Sequence, residues 1–279
     1  MSQKSYDNSP TLYLIPTPIG NLDDITLRTI KILNEVEVVF CEDTRVTSLL
    51  LNHLNIKKKL ISNFEYNENK NENKLLEYLK NGYNVGLVSD RGTPVISDPG
   101  YELAKIAIDN GYNVVSLPGA TALIPALTSS GIEPMPFLYY GFLNSKDSKR
   151  RKELEGFKLF KHTMIFYEAP HRIKKTLEDM LNILGNRKIS ISREITKKFE
   201  EVYRGTIEEI LKEIDEIKGE LVIVVSGHNE EVDFNDLTIE EHINMYMDLG
   251  LSSKEAIKKV SLDRNVKKSD IYNEYHRGE

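Results

Sequence analysis

Short β-rich runs alternate with helical segments through the first half of the chain, and this alternation is the strongest constraint on the fold. Between the runs lie segments with apolar residues three or four positions apart, such as Leu27, Ile30 and Leu33. Strands that alternate with helices are typical of an α/β domain with a largely parallel sheet. The predicted strands are Leu12–Ile15, Val36–Phe40, Lys59–Ser62, Val85–Ser89 and Val114–Leu117.

A turn-rich stretch, SSGIEPMP at residues 129–136, separates this half from a second set of β-rich runs. The segment His171–Leu184 between two of these runs fits a helix. Two other runs lie close together in the sequence, which predicts a hairpin and therefore a mixed sheet. We expect a second α/β domain with strands at Leu138–Phe142, Met164–Tyr167, Ile189–Arg193, Glu200–Arg204 and Leu221–Val225.

The last part of the chain, from about Asp236, has no strand signal and predicts three short helices. Ser252 and Glu255 form a capping-box pattern ahead of an apolar set, and a compact trihelical unit of helix-turn-helix type fits. The expected organisation is therefore a disordered segment at 1–10, an N-terminal α/β domain at 11–131, a second α/β domain at 132–230 and a C-terminal helical unit at 236–279.

Charge and cysteine content exclude several classes of protein. The formal net charge of −6 argues against a protein that coats nucleic acid nonspecifically, although it leaves room for a local basic patch. No apolar run reaches the roughly 18 residues needed to span a membrane, and the polar N-terminus lacks the apolar core of a signal peptide. These features predict a cytoplasmic protein. Cys41 is the single cysteine, which excludes an internal disulfide and a cysteine-cluster metal site.

The common chemical motifs are missing from the sequence. The chain has no G-x-x-x-x-G-K-[ST] phosphate loop, no G-x-G-x-x-G after a strand and no G-x-S-x-G nucleophile elbow. It also lacks H-E-x-x-H and any cysteine pair, so no metal site is predicted.

Four polar loops instead follow predicted strands of the first domain. Ligands bind at the carboxyl ends of strands in open α/β sheets, where glycines permit close backbone approach and prolines stiffen the loops. One such loop alone is equally well explained as a simple turn, but four on one sheet edge favour a shared small-molecule site. We call them the first loop (Pro16–Asn21), the second loop (Cys41–Arg45), the third loop (Asp90–Gly100) and the fourth loop (Leu117–Ala122).

Several longer motifs carry a family resemblance. LYLIPTPIGNLDDITLR, EDTR, LVSDRGTPVISDPG, LPGATA, IFYEAPHR and SREITK together resemble the tetrapyrrole methylase superfamily, and more narrowly the ribosomal RNA small subunit methyltransferase I family. The likeness runs from about Leu12 to Gly227. It implies two α/β domains with S-adenosyl-L-methionine in the cleft between them, in a homodimer. It also implies methylation of the ribose 2′-hydroxyl of a cytidine in the decoding region of 16S rRNA, in the assembled small subunit.

The resemblance also implies a set of cofactor-binding residues. The third loop would hold the methionine end, Tyr167 and Ala169 would close the other wall, and Leu221 and Val222 would lie near the adenine. A core aromatic whose hydroxyl reaches the surface is an alternative interpretation of Tyr167. The full set is Pro16, Gly20, Asp90, Gly92, Thr93, Val95, Pro118, Gly119, Ala120, Thr121, Ala122, Tyr167, Ala169, Leu221 and Val222.

Two residues depart from the family pattern. Arg91 stands where a small residue is usual, and Ala120 replaces a proline. We expect Arg91 to point to solvent, because Gly92 and Thr93 keep the loop chemistry.

A ribose hydroxyl is a weak nucleophile, so a base or a cation beside it would help the reaction. The candidates are Asp43, Glu194 and Lys197, each of which is equally well explained as one partner of an ordinary ion pair. RNA phosphates would need positive charge, for which a basic run after residue 145 is the best candidate and a solvated helix face the alternative. The proposed RNA-binding residues are Lys146, Lys149, Arg150, Arg151, Lys152, His171, Arg172 and Arg193.

Three other functions stay open at this stage. One is methylation of a small tetrapyrrole, the activity of relatives with this fold. Another is a ligand-sensing regulator whose helical unit reads duplex DNA. The third is a metal-dependent phosphatase with Asp43, Asp90 and Asp98 as magnesium ligands.

Overall fold

The computed structural model describes residues 3–5, 7–63, 68–214, 217–228, 237–248 and 250–276. The chain forms two compact units, Met1–His228 and Asn229–Glu279. The first unit contains two five-stranded sheets, and the described part of the second is helical.

The first sheet is entirely parallel, as the alternating pattern predicts. Its strand order is β3-β2-β4-β1-β5, so β1 and β4 lie side by side near the centre. The strands β2 and β4 are buried along their whole length, which explains their near-continuous apolar sequences. The five strands are β1 (Thr11–Leu14), β2 (Val38–Cys41), β3 (Lys59–Ser62), β4 (Val85–Val88) and β5 (Asn113–Ser116).

Helices cover both faces of this sheet. On one face, Leu33 and Leu51 pack against Tyr13 and Val39. On the other face, Leu79 and further apolar residues pack against the alternate positions of the same strands. The helices of this half of the chain are α1 (Leu27–Glu35), α2 (Thr44–His53), α3 (Glu68–Lys80), α4 (Tyr101–Asp109) and α5 (Leu123–Ser129), with a short 3-10 helix at Leu22–Asp24. Of these, α5 packs against the second sheet.

The second sheet is mixed, with the order β6-β7-β10-β8-β9. The strands β6 and β7 are parallel, whereas β10 is antiparallel to both of its neighbours and β8 and β9 form the predicted hairpin. The strands are β6 (Phe137–Phe142), β7 (Thr163–Glu168), β8 (Lys188–Arg193), β9 (Glu201–Thr206) and β10 (Leu221–Val225), and the helices are α6 (Asp147–Glu155), α7 (Ile173–Leu184) and α8 (Ile207–Glu213).

The helix α5 joins the two halves of the first unit. Its residues Ala126 and Leu127 belong to the first half of the chain, yet they pack against Ile165, Val222 and Val224 of the second sheet. The opposite face of the second sheet carries the largest apolar cluster, to which α7 and α8 contribute. Through α5, the first half of the chain therefore packs directly against the second sheet.

The described part of the second unit has three helices, as the sequence predicts. They are α9 (Ile239–Asp248), α10 (Ser253–Asp263) and α11 (Lys268–Tyr275), packed around Ile243, Ile257 and Val260. The predicted capping box at Ser252 and Glu255 is present at the start of α10.

The first residues that the structure describes contact β5. The Gln3 side chain makes two hydrogen bonds with the backbone of Val114, and Asn113 donates to the Lys4 carbonyl at 3.0 Å. Residues 1, 2 and 6 of the segment 1–10 lie outside the described residues. Among the helices of the described part of the chain, none has the length and apolarity to cross a membrane.

Candidate active site

A cavity of about 350 Å³ lies between the loop edge of the first sheet and the strands of the second. This volume is within the range of small-molecule sites, and most of its surface is apolar. One wall comes from the first, third and fourth loops, and the other comes from β6, β7 and β10 with the residues beside them. The lining residues are Ile19, Arg91, Gly92, Thr93, Ile96, Ser97, Asp98, Thr121, Ala122, Phe142, Tyr167, Glu168, Ala169, Pro170, Ile195, Glu220, Leu221 and Val222.

Backbone pairing holds the first and third loops together. Thr17 and Gly92 exchange two N–H···O hydrogen bonds of 2.9 Å. Gly92 has φ +79°, and a side chain there would lie 3.2 Å from Ile19. A residue with a Cβ would therefore be strained at this position, which explains the glycine.

The third loop turns sharply along the cavity wall. Val95 and Ser97 have φ of +78° and +62°, a region that a β-branched residue such as Val95 rarely adopts. These turns place Ser97 and Asp98 on the cavity wall. Such strain is concentrated at functional sites in proteins, and here it brings two polar side chains to a mostly apolar cavity.

The fourth loop is pressed against the first. A Cβ built on Gly119 would lie 2.6 Å from the Cβ of Pro16, so only glycine fits this approach. The Thr93 hydroxyl donates to the Ala120 carbonyl at 3.0 Å, which ties the third loop to the fourth. In the described part of the chain, Pro16 and Gly119 do not line the cavity, so their role is to hold the loops in position.

Five further predicted cofactor residues also lie outside the cavity lining. Asp90 accepts a hydrogen bond of 2.9 Å from the backbone N–H of Asp43 and so braces the third loop on the second. Val95 packs in the core of the first domain. Among the residues that the structure describes, the predicted cofactor residues outside the cavity lining are Pro16, Gly20, Asp90, Val95, Pro118, Gly119 and Ala120. The predicted residues that do line it are Gly92, Thr93, Thr121, Ala122, Tyr167, Ala169, Leu221 and Val222.

Aromatic residues form part of the second wall. Tyr167 makes edge-to-face contacts with Tyr139 and with Phe142, at ring distances of 5.1 and 5.5 Å. Burial raises the pKa of Tyr167, whose hydroxyl is hydrogen bonded to Tyr139 and Thr121. Tyr139 is also linked to Ser97 through a 2.7 Å hydrogen bond between hydroxyl groups. Tyr167 is thus a cavity residue, and Phe142, 54% exposed, adds an apolar surface beside it.

Charged residues bridge the two sides of the cleft. Arg91 of the third loop forms an ion pair with Glu220, which precedes β10. The Lys197 ammonium lies 2.9 Å from Glu220 and 2.8 Å from Glu194, and its aliphatic chain covers Gly20 of the first loop. Arg91 is half-exposed, as expected, but it also lines the cavity and contacts the opposite wall. Arg91, which departs from the family pattern, therefore links the two sides of the cleft.

The three catalytic candidates are all held in ion pairs. Asp43 caps the N-terminus of α2, and hydrogen bonds from Arg45 lower its pKa to about 2. The hydrogen bond from Lys197 also lowers the pKa of Glu194. The net effect of the two glutamates is to raise the pKa of Lys197 despite its partial burial. A carboxylate with a lowered pKa is a weak proton acceptor, so this arrangement does not favour Asp43 or Glu194 as a base.

Asp98 differs from these carboxylates. It lines the cavity, is partly buried and forms no salt bridge within the described residues. Burial, reinforced by the negative charge of Glu42, raises its pKa to about 6. The sequence motif ISDPG placed Asp98 in the third loop, but only the folded loop shows that it reaches the cavity.

The proposed RNA-binding run is only partly available to a ligand. Arg150 is a correction to that set: its side chain is 2% exposed and is paired with Asp179 and Asp147 at 2.7 and 2.9 Å. It fills the space between α6 and α7. The exposed members are Lys146, Lys149, Arg151, Lys152 and His171.

Two other arginines of the set have internal partners. Arg172 donates to the buried carboxylate of Glu168 at 2.8 Å, and this carboxylate also accepts from Thr176. Arg193 donates to the Lys218 carbonyl at 2.6 Å and pairs with Glu201. Both arginines stabilise turns beside the cavity, so they present less free charge than the sequence suggests.

No metal site is found among the described residues. Groups of three or more histidine, cysteine or acidic residues with a suitable arrangement are absent there. Asp43 forms an ion pair with Arg45 and caps the N-terminus of α2. These contacts occupy one of the three carboxylates that a magnesium-dependent phosphatase would need as ligands.

The cavity fits S-adenosyl-L-methionine. Leu221, Val222, Ala169 and Tyr167 offer an apolar wall for a flat base, and the opposite wall carries the backbone at Gly92 and the hydroxyls of the third and fourth loops. A charged amino acid needs polar groups and an adenine needs apolar ones, so the two walls match the two ends of the molecule.

The chain is similar to known proteins over most of its length. A family model described as Tetrapyrrole (Corrin/Porphyrin) Methylases matches residues 11–211. The chain is 49% identical to "Ribosomal RNA small subunit methyltransferase I" from Bacillus subtilis, over 99% of this chain and 97% of that protein. It is 48% identical to the protein of the same name from Halalkalibacterium halodurans, over 99% of both chains.

Solved structures share the fold at lower sequence identity. The methyltransferase CobJ superposes with a TM-score of 0.59 at 19% identity, covering 78% of this chain and 95% of that one. Uroporphyrin-III C-methyl transferase from Thermus thermophilus, solved with S-adenyl homocysteine, gives 0.55 at 18% identity, covering 77% and 97%. The predicted α/β fold, with two sheets and a helical C-terminal region, is therefore confirmed.

Proposed function

Because the chain belongs to the tetrapyrrole methylase family, we propose that it is a methyltransferase that uses S-adenosyl-L-methionine and modifies RNA of the small ribosomal subunit. Its acceptor is the ribose 2′-hydroxyl of a cytidine in the decoding region of 16S rRNA, in the assembled subunit. The observation that carries this proposal is the near-full-length similarity to relatives named for that RNA, at 48–49% identity.

When bound, S-adenosyl-L-methionine supplies a methyl group that is activated by its positively charged sulfur. The residues of this chain then have to hold, orient and shield the reacting groups. Gly92 leaves the backbone of the third loop open to a ligand, while Leu221 and Val222 close the opposite wall. Positioning of this kind supplies up to roughly 7–11 kcal/mol of the barrier in well-oriented reactions.

The exposed cations of α6 give RNA a place to bind. Lys146, Lys149, Arg151 and Lys152 are exposed on this helix or at its start, just after the strand that carries Phe142. Lysine and arginine contacts to phosphates dominate affinity for RNA. Because the whole chain has a net charge of −6, we expect the assembled subunit to bind much better than naked RNA.

The organisation of the protein in the cell is part of the same proposal. We infer that it works in the cytoplasm, where small subunits are assembled, and that it forms a homodimer, as the family resemblance implies. Sedimentation of the purified chain tests the dimer directly.

The test uses methyl-labelled S-adenosyl-L-methionine with small subunits from cells that lack the native enzyme, and naked 16S rRNA in parallel. We expect label at one cytidine ribose of the subunit RNA, detected as an alkali-resistant linkage. Transfer to neither RNA, by a protein shown to bind the cofactor in calorimetry, would contradict the RNA assignment. Label in an added tetrapyrrole under those conditions would identify a small-molecule acceptor instead.

A further inference from the structure

The loop between β8 and β9, residues 194–200, lies at the edge of the cavity, and we call it the hairpin loop. Its residue Ile195 lines the cavity, and the aliphatic part of Lys197 covers Gly20 of the first loop. The Lys197 ammonium also contacts Glu220, another lining residue, at 2.9 Å. Because the hairpin loop contacts both sides of the cleft, a side chain exposed on it lies beside the cavity.

Several hydrogen bonds hold the hairpin loop in a strained conformation. Glu194 and Thr196 have φ of +51° and +70°, a region that a β-branched residue such as Thr196 rarely adopts. The backbone N–H of Glu194 donates to the Glu220 carbonyl at 3.0 Å, and the Glu220 N–H donates to the Glu194 carboxylate at 2.9 Å. The Glu200 carboxylate accepts from the backbone N–H of Thr196. Strain of this kind is concentrated at functional sites and persists only where surrounding contacts enforce it.

Phe199 is exposed to solvent on this enforced loop. It is 65% exposed, more than Phe142 at the cavity, which is 54% exposed. Phe199 follows Ile195 by four residues, so their backbones are at most about 14 Å apart. Single exposed apolar residues are common on protein surfaces, so exposure alone does not indicate a site. Here, however, the ring stands on a fixed loop close to the place where the acceptor must enter.

Lys198 adds a positive charge to this ring. Its ammonium lies 5.7 Å from the centroid of the Phe199 ring, within the range of a cation–π contact. The neighbouring cations have acidic partners, since Arg193 pairs with Glu201 and Lys197 pairs with two glutamates. Lys198 is exposed and forms no salt bridge with the described residues. An aromatic ring beside such a cation suits single-stranded RNA, whose bases stack on aromatic rings and whose phosphates attract cations.

We propose that the hairpin loop binds single-stranded rRNA beside the acceptor nucleotide, with Phe199 stacked on a base and Lys198 in contact with a phosphate. This inference rests on the proposed methyltransferase function. Every base has a π face, so the stack holds the strand without reading its sequence. Because internal contacts fix the loop before RNA arrives, binding does not have to order it. The loop thus holds a neighbouring nucleotide and keeps the acceptor ribose at the cavity.

The first test measures how three variants at Phe199 bind small subunits from cells that lack the native enzyme. Phe199→Ala is expected to weaken binding by about 5- to 150-fold, the usual effect of removing one stacking aromatic. Phe199→Leu weakens it in the same range, because leucine has no π face, whereas Phe199→Tyr stays within about threefold of the wild type. In calorimetry without RNA, all three keep the cofactor affinity of the wild type, since Phe199 is not among the described residues that line the cavity.

Tyr83→Ala is the matched control for the loss of an exposed aromatic ring. Tyr83 is 46% exposed and lies just before β4, at the amino end of that strand. The loops that form the cavity follow the carboxyl ends of the strands instead. We therefore expect Tyr83→Ala to bind small subunits as tightly as the wild type does.

The second test separates charge from stacking by the salt dependence of binding. Each phosphate contact contributes about 0.7 to the slope of log Kd against log salt concentration for a single strand. Lys198→Ala therefore lowers that slope by about 0.7, whereas Phe199→Ala leaves it unchanged. Lys57→Ala, at an exposed lysine just before β3, keeps both the affinity and the slope.

The outcomes separate this inference from the proposed function. An active wild type with a Phe199→Ala variant that binds small subunits equally well overturns the hairpin-loop contact alone. Wild-type affinity in Phe199→Leu also overturns it, since an apolar contact with protein would then suffice. If Phe199→Ala sediments as a smaller species than the wild type, the ring packs against a second copy of the chain and the RNA contact is refuted. A wild-type protein that binds cofactor but methylates no subunit RNA overturns both the inference and the proposed function.

Discussion

Replacing Asp179 with asparagine tests whether Arg150 is a structural residue. The Arg150 side chain is 2% exposed and makes two contacts with Asp179, at 2.9 Å from Nε and 2.7 Å from the terminal nitrogen. Asp179 is 6% exposed at its side chain and also accepts from Arg151 at 2.7 Å. Loss of one partner from a buried ion pair costs about 3–5 kcal/mol, since an uncompensated charge stays buried.

The structure places Asp179→Asn at the lower end of that range. Asp147 still contacts Arg150 at 2.9 Å, and the asparagine oxygen still accepts one hydrogen bond. We therefore expect the free energy of unfolding to fall by about 3 kcal/mol. For a unit of this size the melting temperature falls by roughly 6–12 °C. Urea and thermal denaturation followed by circular dichroism measure both values.

Asp147→Asn is the control, because it removes the other carboxylate of Arg150 from a position where its side chain is 53% exposed. Its effect on stability is expected to be small, since solvent replaces the lost contact. The reasoning fails if Asp179→Asn is as stable as the wild type while Arg150→Ala folds normally and binds small subunits weakly. Arg150 would then be an RNA contact, as its sequence suggested.

Three further substitutions probe the cleft. Arg91→Ala removes the ion pair with Glu220, whose two side chains are 54% and 59% exposed. Because an exposed pair contributes little, we expect cofactor affinity in calorimetry to change by less than about fivefold. A larger loss would make Arg91 a direct ligand of the cofactor. Gly119→Ala places a methyl group against Pro16. We expect it to lower the free energy of unfolding, measured in urea, by about 1–3 kcal/mol. An unchanged midpoint of urea unfolding would refute the close packing. Phe142→Ala removes an exposed ring beside the cavity. We expect it to weaken binding of small subunits by about 1–3 kcal/mol, as for a base-stacking aromatic, with cofactor affinity retained; equal binding by both proteins would exclude that contact.

Much of the fold was predictable because each strand and helix is indicated by residues that are close together in the sequence. The strands Lys59–Ser62 and Leu221–Val225 are found at the predicted bounds, since each is a short β-rich run between turn residues. The wall of the cavity made by loops was also predictable, because parallel strands bring their carboxyl ends to one edge.

Other parts of the second wall, and the charge pairs, were not predictable from local patterns in the sequence. Phe142 and Glu220 line one cavity because β7 lies between β6 and β10, an order that no local pattern encodes. Likewise, the run SKDSKRRKE carries no sign that one arginine is buried, since its partner Asp179 lies 29 residues away on another helix. Pairings over such distances depend on the packing of whole elements.

The position of β10 has a consequence for how the protein is made. Among the strands of the described residues, this one is synthesised last, yet it is the middle strand of its sheet. Until residue 225 has been synthesised, β6 with β7 and β8 with β9 are two separate pairs, each with an unpaired edge open to wrong partners. Because Leu221 and Val222 also close the cavity, the nascent chain acquires its binding site at the moment that this sheet is completed.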